Sequence, residues 1–150
     1  MPGLGDGPFA IPLGRMSLVG GRVVGSSTFT TTSTSYVDLT NATLTLTTQA
    51  ARCLVSFSGQ YQLSGSNTSY ATINIDGTNV EGAYAIASGT VDSNGSIMSF
   101  TYLTDVLSAG SHTFKIQVHT NGLTLTVPYT TTAGQERKWQ FSVAETAIVT

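Results

Sequence analysis

Two histidines are the most obvious acid–base side chains in this 150-residue chain. His112 and His119 are seven residues apart in a segment where apolar and polar residues alternate. They therefore point to opposite faces of one strand and cannot share a metal ion. His112 falls on the apolar side, and we expect a packed, hydrogen-bonded residue in the core or near the turn end of the strand. His119 falls on the polar side, where we expect it to be solvated.

A Ser–His–Asp set is the closest approach to a catalytic motif. Asp105 and His112 could form one with any of many serines, and this abundance of serine makes the match unspecific. The sequence contains no Gly-rich phosphate loop, GxSxG elbow, HExxH or CxxC pattern. We therefore expect no catalytic residue, no cofactor and no enzymatic activity.

Metal binding has only weak candidates. Asp76 could ligate calcium, but the pair Asp76-Gly77 is explained equally by a two-residue hairpin turn. Cys53 is the only cysteine, so an internal disulfide is impossible, and its apolar surroundings predict a buried thiol. We expect no metal site.

Tyrosines are the remaining candidates for recognition. Tyr61, Tyr70 and Tyr129 fall in or near predicted loops, or on strand faces that are not clearly inward. Tyrosine combines a rigid apolar ring with a polar tip, which suits contact with a sugar or a protein. The alternative is ordinary packing on a sheet face. A recognition site would use the predicted loops at 64–69, 87–95 and 129–138.

The composition narrows the possible partners. Hydrophobic residues make up 40% of the chain and charged residues 9%, against about 25% charged residues in an average soluble protein. A net charge of −2 gives no support for nucleic-acid binding. Because few charges would need desolvating, extensive subunit contact is plausible. We expect no secretory signal and no membrane span, since no basic segment precedes an apolar core and no apolar run is long enough.

Alternating residues predict about eight to ten short strands, separated by turn signals. The clearest strand follows a turn at 107–110 and is expected to be central in its sheet. Tight turns are predicted at Asp76-Gly77 and Asn121-Gly122, and Pro128 is predicted to end a strand. A last strand beginning at Trp139 is rich in large apolar residues, which is typical of a central strand. No segment has a sustained helical period, so the fold class is all-β: an antiparallel two-sheet sandwich.

Residues 1–26 differ from the rest because glycine and proline interrupt short apolar pieces. We predict an extended N-terminal arm at 1–26 that docks on a neighbouring surface, followed by a sandwich at 27–150. The apolar residues expected to make this contact are Phe9, Ile11, Leu13, Leu18 and Val23. The alternative is an ordinary first strand with a frayed end, and a short strand within 16–24 is compatible with either.

Several stretches resemble small jelly-roll domains in virion proteins of tailed bacteriophages. They are TINIDGTNV (72–80), TDVLSAGSHTFKIQVHT (104–120) and WQFSVAET (139–146), preceded by STSYVDLTNATLTLTT (33–48) and RCLVSFSG (52–59). These domains are similar in architecture to trimeric heads of the C1q and tumour-necrosis-factor type. A collagen-like G-x-y stalk, usual in cellular C1q-type proteins, is missing here, which favours a virion part.

The resemblance implies a non-enzymatic, homotrimeric virion protein, made in the host cytoplasm and placed on the virion surface. It would be a capsid decoration protein whose arm attaches it to the major capsid protein or to tail proteins. The alternative is a receptor- or carbohydrate-binding head of a tail fibre. No nucleic acid and no membrane is expected as a partner.

Overall fold

A computed structural model describes residues 20–89, 95–129 and 138–146, with the backbone alone for 81–89. This part of the chain contains strands and no helix. The strands are β1 (Gly20–Gly25), β2 (Phe29–Thr31), β3 (Val37–Gln49), β4 (Cys53–Leu63), β5 (Asn67–Ile75), β6 (Thr78–Gly89), β7 (Ser96–Leu103), β8 (Ala109–Thr120), β9 (Leu125–Val127) and β10 (Trp139–Glu145).

The described strands form two antiparallel sheets. The six-stranded sheet has the order β1-β10-β4-β9-β2, with β7 also paired to β4, and the four-stranded sheet has the order β3-β8-β5-β6. The pairs β1–β10, β3–β8, β4–β7 and β5–β6 are nested, so that the first strand meets the last and the innermost pair is a hairpin. This nesting is that of a jelly roll. The all-β, antiparallel sandwich predicted from alternation is therefore confirmed.

The core lies between the two sheets and follows the predicted alternation. In β8 the even-numbered residues from His112 to Thr120 are buried and the odd-numbered residues between them are partly exposed. The largest fully buried side chains are Trp139, Phe114, Phe141, Leu39, Ile73 and Ile116. As predicted, β8 and β10 are both central strands, since each has a neighbour on either side.

Three turn signals are found where they were predicted. Asp76 and Gly77 both have positive φ, 51° and 89°, as a two-residue hairpin turn requires. Gly122 also has a positive φ of 89° in the turn after β8. β9 ends at Val127, immediately before Pro128.

Some boundaries were predicted wrongly. β5 begins at Asn67 and β6 extends to Gly89, so the loops predicted at 64–69 and 87–95 are shorter in the described residues. Thr68 pairs with Ser88 here, because backbone groups form the ladder whatever the polarity of the side chains. β3 also contains an irregularity, where its register with β8 shifts between Asp38 and Thr43 and Asn41 has φ 64°.

The structure describes the N-terminal region only from residue 20 onward. Val23 lies in β1 at the edge of the six-stranded sheet, paired with Phe141 of β10, and packs against the core. The predicted contact residues Phe9, Ile11, Leu13 and Leu18 lie outside the described residues, as do 90–94, 130–137 and 147–150. Docking of an arm on a neighbouring surface stays a prediction.

Candidate functional site

The outer surface of the six-stranded sheet is unusually poor in charge. We call it the neutral face and define it by the outward residues of β1, β10, β4 and β7. They are Gly20, Arg22, Val24, Gln140, Ser142, Ala144, Leu54, Ser56, Ser58, Gln60, Ile97, Ser99, Thr101 and Leu103. Arg22 is the one charged residue among them, and its guanidinium donates to Oε1 of Gln140 at 2.7 Å.

Large apolar side chains are exposed on the neutral face. Leu54 is 42% exposed, and its register partner Leu103 is 45% exposed. On the other side Leu54 pairs with Ala144, so small and apolar residues form a row across three strands. Ile97, which is 73% exposed, lies at the opposite end of β7. Contiguous exposed apolar patches of more than a few hundred Å² are rare on soluble monomers, and a row of exposed apolar residues is therefore a candidate contact surface.

The middle of the neutral face contains a shallow depression of about 350 Å³. Its rim is formed by short hydroxyl and amide side chains, including Ser58, Ser99 and Gln140. Ser56 and Thr101 hydroxyls are 3.4 Å apart across the strands. Short polar groups of this kind can be covered by another protein at little desolvation cost, because they can exchange one hydroxyl partner for another.

The outer surface of the four-stranded sheet has a different chemistry. The Lys115 ammonium and the Gln117 amide each donate to the Asp38 carboxylate at 2.7 Å. These two hydrogen bonds hold the pKa of Asp38 below its usual value, against a smaller opposing effect of burial. Such exposed, paired charges are typical of a surface that stays in water.

His119 lies on this surface and is not simply solvated as predicted. Its ring stacks on Tyr70 with centroids 4.5 Å apart and meets the edge of Tyr36 at the same distance. Nδ1 of His119 is buried and has no hydrogen-bond partner in the described part of the chain. The register of β8 with β5 places His119 opposite Tyr70, which is why sequence periodicity alone missed the cluster.

His112 is buried as predicted but is paired with a different aspartate. Nδ1 of His112 is 2.6 Å from Oδ2 of Asp76, and Nε2 is 3.0 Å from the Ser108 carbonyl oxygen. The Asp105 carboxylate considered in the sequence is instead 97% exposed and 3.9 Å from Nη1 of Arg52. The signal for the true partner was the Asp76-Gly77 turn, since β5 pairs with β8 just before it.

The Asp76–His112–Ser108 arrangement does not have the geometry of a catalytic triad. Nε2 of His112 is closer to the Ser108 carbonyl, at 3.0 Å, than to the Ser108 hydroxyl, at 3.4 Å. A nitrogen that donates to a carbonyl cannot accept the proton of the hydroxyl. Both carboxylate oxygens of Asp76 have partners: Oδ2 contacts His112, and Oδ1 accepts a hydrogen bond from the backbone N–H of Thr113 at 2.7 Å.

The remaining predicted positions have varied environments. Tyr61 lies within β4 and is 4% exposed, which agrees with the alternative of ordinary packing and not with a position in or near a loop. Tyr129 is partly exposed after β9, and its N–H donates to the Gln60 carbonyl. Cys53 is fully buried as predicted, and burial is the main cause that raises the pKa of its thiol. Tyr129 thus lies beside the backbone of Tyr61, whereas Tyr70 stacks on His119 at the outer surface of the other sheet.

Within 20–89, 95–129 and 138–146, excluding side chains of 81–89, no group of three or more His, Cys, Asp or Glu side chains is placed to hold a metal ion. In the same residues we find no helix long and apolar enough to cross a membrane.

No protein-family model matches the chain, and no curated protein matches it. Solved structures with related architecture include Eiger TNF from S. frugiperda, with TM-score 0.43, 10% identity and coverage of 89% of this chain and 95% of that one. A second is the carbohydrate-binding module CBM36 in complex with calcium and xylotriose, with TM-score 0.35, 9% identity and coverage of 84% and 99%.

A third is infectious bursal disease virus, Gx strain, with TM-score 0.41 and 15% identity; the match covers 99% of this chain and 41% of that one. These scores are too low to bear on function. The fold assignment rests on the strand order and the nested pairing described above.

Proposed function

We propose that this protein is a non-enzymatic structural component of a virus particle, a homotrimeric capsid decoration protein of a tailed bacteriophage, whose subunits associate through the neutral face. The observation that carries the proposal is the neutral face itself. Its exposed Leu54, Leu103 and Ile97 lie among hydroxyl and amide side chains with a single charged residue. Depletion of charge and partial apolar character are typical of the cores of protein–protein interfaces.

Self-association explains why charged residues are scarce on the neutral face and present on the outer surface of the other sheet. An exposed sheet face normally carries charged residues that keep it solvated, as Lys115 and Asp38 do on the four-stranded sheet. A face that is covered by another subunit would gain nothing from such charges, because their desolvation is costly. Closed symmetry is the usual form of such association.

The chemistry of the described residues supports a structural role. His112 is the one histidine hydrogen-bonded to a carboxylate there, and both of its ring nitrogens face acceptors. It therefore has no free nitrogen with which to act as a general base. The proposed place in the particle is the virion surface, with the major capsid protein or tail proteins as partners reached through the N-terminal arm predicted at 1–26.

The test of the proposal is a charge introduced into the neutral face. In the variant Leu54→Asp/Leu103→Asp, two carboxylates would be buried in an apolar contact between subunits, and we expect association to weaken by about 100-fold or more. The matched control is Thr43→Asp/Thr47→Asp, which adds the same charge to exposed positions on β3. Sedimentation velocity and light scattering measure the oligomer.

We expect the wild type and the β3 control to be trimers and the neutral-face variant to be a monomer with an unchanged circular dichroism spectrum. A wild-type protein that is monomeric at all measured concentrations would contradict self-association. Location is tested separately, by electron microscopy of purified particles with antibody against the protein. Particles without threefold density for it would exclude the decoration role while leaving the oligomer result intact.

A second candidate is a recognition head, and the aromatic cluster of Tyr36, His119 and Tyr70 favours it. Tyr36 is 36% exposed beside the polar pair Asp38 and Gln117, a combination that suits a sugar. If this reading holds, the isolated protein binds a defined set of glycans on an array and the Tyr36→Ala variant loses about tenfold in affinity. Tyr129→Ala is the control, since Tyr129 lies outside the cluster.

A further inference from the structure

The imidazole of His112 bridges two segments that are distant in sequence. Nδ1 is 2.6 Å from Asp76 Oδ2, in the turn between β5 and β6. Nε2 is 3.0 Å from the carbonyl oxygen of Ser108, in the segment 104–108 between β7 and β8. Both partners are acceptors, so the geometry satisfies an imidazolium with two N–H groups, whereas a neutral ring has only one.

A groove of about 210 Å³ lies between the same two segments. Ile75 and Val80 line the wall that adjoins the β5–β6 turn, and Tyr102 and Leu107 line the opposite wall. All four pack partly buried against the hydrophobic core. The distance between the walls is therefore constrained by whatever ties the turn to the segment 104–108, and the His112 side chain does so directly.

We propose that His112 is a proton-operated clasp, which ties the β5–β6 turn to the segment 104–108 when its ring is protonated and releases the Ser108 side when the ring is neutral. This inference goes beyond the proposed function and does not depend on it. It concerns a conformational device at one end of the sandwich.

Loss of the proton affects the two sides of the ring unequally. The Asp76 side keeps its hydrogen bond, because a carboxylate is the stronger acceptor and Thr113 N–H holds its other oxygen at 2.7 Å. Nε2 is then left with a lone pair facing the Ser108 carbonyl at 3.0 Å, which is a contact between two acceptors. The Ser108 side must move away or lose its partner.

The segment 104–108 is hydrogen-bonded at both ends, and the contact with His112 is an additional tie at its last residue. Thr104 donates its N–H to the Cys53 carbonyl, and its hydroxyl oxygen accepts from the Cys53 N–H at 2.9 Å. The other end is held by the Leu107 N–H on the Ala51 carbonyl and by the Thr48 hydroxyl on the Ser108 carbonyl at 2.7 Å. Release of His112 removes one of the contacts at the Ser108 end, so we expect the segment to open more readily there, next to the exposed Val106.

Asp76 is the ionised group that faces the ring. From β3, which packs beside it, Leu46 pairs with His112 and Thr48 lies near, and both are uncharged. Lys115 of β8 is paired with Asp38 on the outer face of the sheet. Glu145 of β10 accepts from the Gln49 N–H at 2.6 Å instead.

The pKa directions agree with this geometry. The Asp76 hydrogen bond, followed by that of Ser108, raises the pKa of His112 above 6.5. The Thr113 N–H, followed by His112, lowers the pKa of Asp76 below 3.8.

These shifts determine how stability depends on pH. The His112 contribution to stability is complete below pH 6.5 and is lost as the pH rises through the raised pKa of His112. The Asp76 contribution is present above pH 3.8 and is lost as the pH falls through the lowered value. The clasp is strongest between these limits and opens on the alkaline side.

The test uses NMR of the full chain to follow two quantities as the pH is raised. The first is the protonation of the His112 ring. The second is the hydrogen-exchange rate of the Leu107 amide, corrected for the intrinsic pH dependence of exchange. Above the His112 transition we expect protection of Leu107 to fall by about tenfold for each unit by which the pKa of His112 is raised. The variant His112→Gln should remove this pH dependence. The matched control His119→Gln, in the second histidine of the chain, should retain it.

Asp76→Asn provides an independent check, because an amide removes the charge that favours the imidazolium. In this variant the loss of Leu107 protection should shift to lower pH together with the His112 titration. The proposal is overturned if Leu107 protection is constant while His112 titrates, or if its pH dependence persists in His112→Gln.

Discussion

The two outer faces of the sandwich differ in charge although the same alternation of residues builds both. On the four-stranded sheet, Lys115 and Gln117 hold the Asp38 carboxylate, and aromatic rings pack beside them. The neutral face presents leucine, isoleucine, serine and threonine, with Arg22 as its one charged residue. The inward residues explain how one subunit folds. The outward residues of the two sheets indicate which surface stays in water and which is suited to a second subunit.

Among the substitutions that test this difference between the faces, Gly25→Val at the end of β1 is expected to have the largest effect on stability. A Cβ at Gly25 would lie 2.1 Å from Cε2 of Trp139, whose side chain is 1% exposed and cannot move aside. The end of β1 must leave the sheet, and we expect a loss of about 1–3 kcal/mol in the free energy of unfolding. Association should weaken too, since β1 forms the edge of the neutral face. Urea unfolding and sedimentation velocity measure the two effects.

Val24→Ala is the control for this substitution, because Val24 is 47% exposed and points away from the core. It should change the free energy of unfolding by no more than about 0.5 kcal/mol. If Gly25→Val unfolds at the same urea concentration as the wild type, the close approach of β1 to Trp139 is not a constraint on the sheet.

The smallest effect is expected from Asp38→Asn on the opposite face. Asp38 is about half exposed, so solvent screens its pair with Lys115, and we expect a loss of at most about 1 kcal/mol in the free energy of unfolding. The oligomer should be unaffected, and the loss should vanish in high salt. Urea unfolding at low and high ionic strength gives the first quantity and sedimentation velocity the second. A dissociated Asp38→Asn protein would show that the charged face, too, contacts another subunit.

Period-two alternation was sufficient to predict the fold class, the central positions of β8 and β10, and most of the buried residues. The burial of Tyr61 could also have been predicted from this alternation. The inward positions Cys53, Val55 and Phe57 continue through Gly59 to Tyr61 and Leu63, so its burial could have been inferred.

Contacts between strands could not be inferred in this way. The pairing of His112 with Asp76, and the packing of His119 between Tyr36 and Tyr70, depend on the register of β3 and β5 with β8. The neutral face depends in addition on strand order, because Leu54, Leu103 and Ala144 become neighbours only once β7, β4 and β10 are adjacent. A single sequence fixes which side of a strand is buried more readily than which strand lies beside it.

The position of β10 has a consequence for biosynthesis. This strand is inserted between β1 and β4, so a nascent chain that has not yet released residues 139–145 from the ribosome has a vacancy in the middle of its larger sheet. Trp139 and Phe141, which fill the space beneath, arrive last as well. Such long-range closure is slow to nucleate, and the edges of β1 and β4 remain open to wrong partners until it occurs.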